Sequence, residues 1–224
     1  MDLLQVIVEL RHSMPLKLFT PYEDLFRSLT GKELPEKELA LPGFQLNIAE
    51  KQMRIVVDPR RTAIVLGDVP NIGYCVDNVM AVFRKISELA KLPPLSRLGE
   101  RSYWIEESKI SFDELVSTYK KLVYKPINII GESIDVGASF ILASGEYKAN
   151  IAFGPMELPR LESMLTFKPP KLPKVATFLD VDYYLGIEQK EITERILHDF
   201  VSSGLNYASE QSKRLMSLFE EVKQ

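Results

Sequence analysis

Asp180 and Asp182 are the residues whose spacing speaks most directly of chemistry. They lie in the run ATFLDVDYYL, where strand alternation puts both carboxylates on one face. A divalent cation shared with a nucleotide phosphate would require that arrangement, and Mg²⁺ or Mn²⁺ held there would serve a metal- and nucleotide-dependent transferase. The same alternation sends Leu179, Val181, Tyr183 and Leu185 to the other face. A strand with one buried and one solvated side therefore explains the pattern without a metal. A two-metal reaction would also want a third carboxylate and a basic clamp for phosphates, and the sequence nominates no specific one.

The other reactive side chains are few. His12 and His198 are the only histidines, which excludes a histidine-rich zinc site. His198, beside Asp199, is expected to face solvent, and His12, beside Arg11, has no evident acid–base partner. Cys75 precedes an expected helix whose N-terminal dipole would lower a thiol pKa, but without a base it reads as an inert buried thiol. Arg60 and Arg61, with Arg54 nearby, occupy an expected hairpin turn where they could touch phosphate; a solvated turn is the simpler reading, and nucleic acid is not the expected partner. Trp104 and Tyr184 are the aromatic candidates for lining a groove or a partner interface. GDVPNIG and GASFILASG match neither GxxxxGK[ST] nor GxGxxG after a strand. No catalytic residue emerges.

Composition bounds what must position these groups. The chain of 224 residues is 46% hydrophobic and 26% charged, enough apolar material for one large core or two small ones. A formal net charge of -3 gives no global basic field for nucleic acid or anionic lipid. One cysteine allows no intrachain disulfide, and MDLLQVIVELRH does not read as a signal peptide. No run approaches the roughly 18 to 20 apolar residues of a membrane span, so the expected setting is cytoplasmic.

LQVIVEL reads as a first strand, and Thr20-Pro21-Tyr22-Glu23 as a capping box opening a helix with Leu25, Phe26 and Leu29 inward. FQLNIAE, MRIVV and TAIVLGDV form an antiparallel meander with a turn at Asp58–Arg61. Asp77 caps the next helix, striped by Val79, Val82, Phe83 and Ile86 and ended by Pro93-Pro94. RLGERSYWIEE alternates as a strand and runs into a second capping box, Ser111-Phe112-Asp113-Glu114. A hairpin turns at Ser144-Gly145-Glu146, a proline-punctuated stretch follows, and ATFLDVDYYL is the last strand. From Glu188 to Val222 a helical stripe (Ile196, Phe200, Leu205, Ala208, Leu215, Phe219) would extend about 45 Å, with Ser202-Ser203-Gly204 the one place to bend.

VIVELRH, RLGERSYWIE, TFLDVDYY and the long final helix, in that order, resemble a sporadically distributed family of uncharacterised bacterial and archaeal proteins. The family's anchors appear as Arg97-Leu98-Gly99-Glu100-Arg101 and Leu179-Asp180-Val181-Asp182-Tyr183, with Ser102 intervening before Tyr103 and Glu106 where such proteins carry Asn. The resemblance implies no activity.

The sequence therefore predicts an α+β fold with largely antiparallel sheets. It is expected as two similar ferredoxin-like halves, residues 1–95 and 96–187, and a long helix over 188–224 that packs across both or pairs with a second copy through Leu215 and Phe219. The expected function is a non-enzymatic module that binds a protein partner. The alternative is the transferase using Asp180 and Asp182.

Overall fold

The computed structural model describes residues 1–13, 44–89, 92–123 and 135–222. Among these, eight strands make one sheet: β1 (Asp2–His12), β2 (Phe44–Ile48), β3 (Met53–Asp58), β4 (Arg61–Gly67), β5 (Leu95–Glu107), β6 (Ala138–Ser144), β7 (Tyr147–Glu157) and β8 (Val175–Lys190). All neighbours are antiparallel, in the order β2-β3-β4-β1-β5-β8-β7-β6. From the central β1–β5 pair the order runs outward as β4, β3, β2 on one side and β8, β7, β6 on the other. Among the described residues four α-helices accompany the sheet: α1 (Ile72–Leu89), α2 (Phe112–Val123), α3 (Leu158–Met164) and α4 (Glu194–Val222). The fold is α+β, as the sequence predicts. The Thr20 capping box and the helix behind it lie outside the described residues.

Period-two alternation divides the sheet into two faces. Val6, Val8 and Leu10 of β1, Ile64 and Leu66 of β4, and Leu179 and Val181 of β8 point one way. They pack with Val79, Val82 and Phe83 of α1 and Leu197, Val201 and Leu205 of α4. Each such side chain stabilises the fold by about 1.5–3 kcal/mol on full burial. Among the described residues the other face is covered only at one end, where Leu161 and Leu165, in and after α3, pack on Tyr103, Ile105 and Phe178, and it is called the open face on that footing. Pro155 fits inside β7 because β7 has by then run past β6, whose last partner on it is Phe153.

The helix starts follow local hydrogen bonding. At α2 the box forms as expected: the Ser111 amide donates to Glu114 Oε2 (2.9 Å) and the Glu114 amide to Ser111 Oγ (3.3 Å). The Ser111 hydroxyl and amide hold the Glu114 carboxyl below the usual range. The cap of α1 is not Asp77 but Asn71, whose Oδ1 accepts the Tyr74 amide at 2.8 Å; Asp77 lies inside the helix. The last helix begins six residues later than its periodicity suggests, because β8 continues to Lys190, which pairs with Leu95. Thr193 Oγ1 then accepts the Ile196 amide at 3.3 Å.

Two features of α4 correct the sequence reading. Gly204 does not break the helix, which runs through it from Glu194 to Val222. It is a point of close approach: a Cβ there would lie 2.9 Å from Glu100 Oε2 and 3.0 Å from Tyr183 Cδ1. The distal stripe does not project either. Leu215 and Phe219 are 6% and 5% exposed, and the Phe219 ring meets Tyr119 of α2 edge-on at 4.8 Å. The residues expected to reach a second copy are spent inside the chain.

Beneath Gly204, Glu100 is fully buried, and the hydroxyl of Ser102 is the hydrogen-bonding group among the described residues that acts on its carboxyl. Burial pushes its pKa well above the usual carboxylate value, the nearby Ser102 hydroxyl offsets part of this, and Asp182 and Asp180 raise it further. The folded state therefore holds this proton to a higher pH than the unfolded chain, whose Glu titrates near about 4.3. Stability from the neutral carboxyl is complete below that value and is lost as pH rises through the folded pKa.

Three outcomes follow from this packing. Gly204→Ala should lower urea-unfolding stability by about 1–3 kcal/mol by overpacking, although alanine is intrinsically favoured over glycine in a helix by about 1 kcal/mol. Glu100→Gln should unfold at a higher urea midpoint than the parent near pH 8 and show little difference near pH 4, roughly where unfolded carboxyls titrate. An unchanged pH profile would refute the neutral buried carboxyl. Leu215→Glu with Phe219→Glu should abolish the cooperative melt, because Phe truncation alone in a core costs about 3–5 kcal/mol.

Candidate functional site

On β5, Arg97, Gly99 and Arg101 alternate with the buried Leu98, Glu100 and Ser102, so both guanidiniums rise from the open face. Register places partners on each side. β1 sets Glu9 opposite Gly99, and β8 sets Asp182 opposite Arg101. Arg97 bridges the two carboxylates, with Nη1 donating to Glu9 Oε1 (3.3 Å) and Nη2 to both Asp182 oxygens (3.0 Å each). Arg61 of β4 approaches Glu9 Oε2 at 3.6 Å, and Asn150 Nδ2 of β7 donates to Asp182 Oδ2 at 3.2 Å. The result is a row of alternating charge across four strands, ended by the Asn150 amide on a fifth. The Arg97 guanidinium also lies 4.6 Å from the centre of the Tyr184 ring.

Arg101 clasps Asp180 with Nε (2.9 Å) and Nη2. The Asp180 side chain raises the Arg101 pKa further, against a smaller opposing effect of burial. At the β3–β4 turn, Asp58 Oδ1 accepts the Arg60 and Arg61 amides and Oδ2 accepts Arg61 Nε at 2.8 Å. Burial acts to raise the Asp58 pKa, but those donors together hold it below its ordinary value.

Beside them lies a hollow of about 400 Å³ that, among the described residues, is lined by five arginines, Arg11, Arg54, Arg61, Arg97 and Arg101, and by two carboxylates, Glu9 and Asp182. Arg11 Nε donates to Glu9 at 2.7 Å and Arg54 Nε to Asn47 at 2.8 Å. The segment after α3 walls one end: the Thr166 amide donates to Gln5 Oε1 at 2.7 Å, and Phe167 sits 5.9 Å from the Arg54 guanidinium. Bidentate guanidinium forks suit carboxylate or phosphate oxygens, and their own ion pairs hold them in place.

The structure sorts the sequence candidates. Asp180 and Asp182 do share a face, but each is engaged by an arginine, whose charge opposes a divalent cation. Among the described residues no group of three or more His, Cys, Asp and Glu side chains is placed to hold a metal. Trp104 and Tyr184 cannot line one groove, because Trp104 is buried in the helix-side core while Tyr184 lies on the open face under Arg97. Arg61 reaches the hollow; Arg60 sits in the exposed turn, its carbonyl accepting the His12 amide. His12 Nε2 lies 3.2 Å from Thr62 Oγ1 inside the protein, and burial lowers its pKa against the pull of Asp58. His198 is exposed beside Asp199. Cys75 is buried within α1, and burial, then Glu100, push its thiol pKa up, the opposite of an activated nucleophile.

The sequence reading missed Arg97, Arg101, Glu9 and Arg11. A signal was there: Arg97 and Arg101 four apart on one strand face, with Glu9 and Arg11 on another. Which strands adjoin decides whether those charges meet. Among the described residues no helix is long and apolar enough to cross a membrane.

No family model matches the chain, and no curated protein does. Among solved structures, Methanococcus jannaschii TBP is similar over 98% of both chains, at 8% identity and a TM-score of 0.36.

Proposed function

We propose that the protein is a non-enzymatic binding module that takes an acidic segment of a partner protein into the arginine-lined hollow of its open face. The observation that carries this is the hollow itself, five arginines against two carboxylates among the described residues, in a chain of formal net charge -3. Local positive potential on an otherwise acidic chain steers and orients an anionic partner. Glu9 and Asp182 hold Arg97 so that less side-chain entropy is lost on binding. The partner is read as a protein because a chain of formal net charge -3 gives no global basic field for a continuous phosphate backbone. The reading also takes the chain as two related α+β halves, 1–95 and 96–187, supported by the outward strand order from β1 and β5.

A labelled polyglutamate peptide should bind in fluorescence anisotropy, more weakly as salt rises. Arg11→Glu with Arg54→Glu should reduce its affinity by about tenfold or more, with an unchanged melting temperature. Duplex DNA binding as tightly, and losing as much in the same variant, would replace the partner class. A melting shift with Mn²⁺ and a nucleotide that Asp182→Asn removes would replace the reading altogether.

A further inference from the structure

The two edges of the sheet are built differently. β2 has five residues, with Leu46 and Ile48 buried and Asn47 held by Arg54. β6 has seven, ASFILAS, without a charge or a proline. Phe140, Ile141 and Leu142 are 47%, 74% and 39% exposed. Being consecutive, they present apolar surface on both faces. Among the described residues β6 pairs with β7 alone. Edge strands that stay unpaired are shortened, charged or interrupted, because a free row of N–H and C=O groups recruits another strand. β6 has none of these protections.

We propose that β6 pairs with β6 of a second copy, antiparallel about a two-fold axis through Ile141, so that two eight-stranded sheets become one. The strand complements itself about that residue. Phe140 of one copy falls opposite Leu142 of the other, Ser139 opposite Ala143, and Ile141 opposite Ile141. Gly137 falls opposite Gly145, so no side chain obstructs either end, and no like charges meet. Faces match as well. Ile141 is in register with Asn150, which reaches Asp182 on the open face, while Phe140 stacks on Phe153 of the helix-side core at 6.0 Å. An axis perpendicular to the sheet keeps each face continuous, and an isologous contact closes at two copies. One strand edge is small against the about 1,200 Å² of a standard interface, so the dimer dissociates on dilution.

Sedimentation equilibrium over a wide concentration range tests this. The mass should rise from 25.5 kDa toward twice that value. Ile141→Lys, at a position 74% exposed, should stay monomeric with an unchanged melting temperature. Mixing it with Ile141→Glu should restore the dimer. Ile141→Cys should form a disulfide-linked dimer under added oxidant, faster than Ile110→Cys, while buried Cys75 stays unreactive. A wild type that stays at 25.5 kDa at its solubility limit overturns the proposal. So does an Ile141→Lys variant that still dimerises, equal cross-linking of the two cysteine variants, or assembly that grows past two copies.

Discussion

The antiparallel pairing of β1 with β5 sets Val8 opposite Glu100 and Glu9 opposite Gly99, and that register fixes both faces of the sheet together. A slip of one residue would turn Val6, Val8 and Leu10, each at most 1% exposed, toward solvent. Losing their burial would cost about 1.5–3 kcal/mol apiece, whereas an exposed ion pair contributes about 0–1 kcal/mol. The apolar face therefore decides the register. The row from Arg61 through Glu9, Arg97 and Asp182 to Asn150 is a consequence of it: the register that seats the core is what brings these part-buried groups into line.

Charge is treated in opposite ways across the thickness of one strand. On the open side of β5, Arg97 and Arg101 meet carboxylates whose other edges reach solvent or further donors. On the helix side, Glu100 is sealed under α4, and burial raises its pKa, which favours the neutral carboxyl over a buried charge. Gly204 is the matching feature on the helix, since any larger residue would press on that carboxyl or on Tyr183. A residue chosen for helix propensity alone would be alanine. Its absence shows that helix–sheet distance outweighs propensity at this contact.

Local signals were legible in the sequence and non-local ones were not. The Ser111–Glu114 box closes within four residues, so its chemistry could be read directly. Asp77 and Asn71 are both plausible caps by type, and only the start of α1 chooses between them. The α4 stripe was clear, yet its beginning depended on β8 staying paired with β5 as far as Lys190. The site was legible as alternation and no further. That Asp180 and Asp182 share a face follows from period two, but their ties to Arg101 and Arg97 follow from which strands adjoin. For the same reason Trp104 and Tyr184, both aromatic and both in strands, could not be assigned to opposite faces until β5 and β8 were in register.

The two proposed surfaces are related through the sheet that carries them. β6 lies three strands from β5, and Asn150 of β7 ends the charged row one strand short of that edge. Beyond Asn150 the open face passes to Ile141, so polarity falls away where the pairing is proposed. Charge in the middle of the sheet suits a partner that arrives and leaves, because it speeds encounter and is weakened by salt. An uncharged edge suits a like strand, because backbone hydrogen bonds and cross-strand apolar pairs give affinity without electrostatic selection. Pairing at β6 would also place two arginine hollows on one continuous face. An acidic segment long enough to reach both would then gain from effective concentration as well as from each site's own affinity.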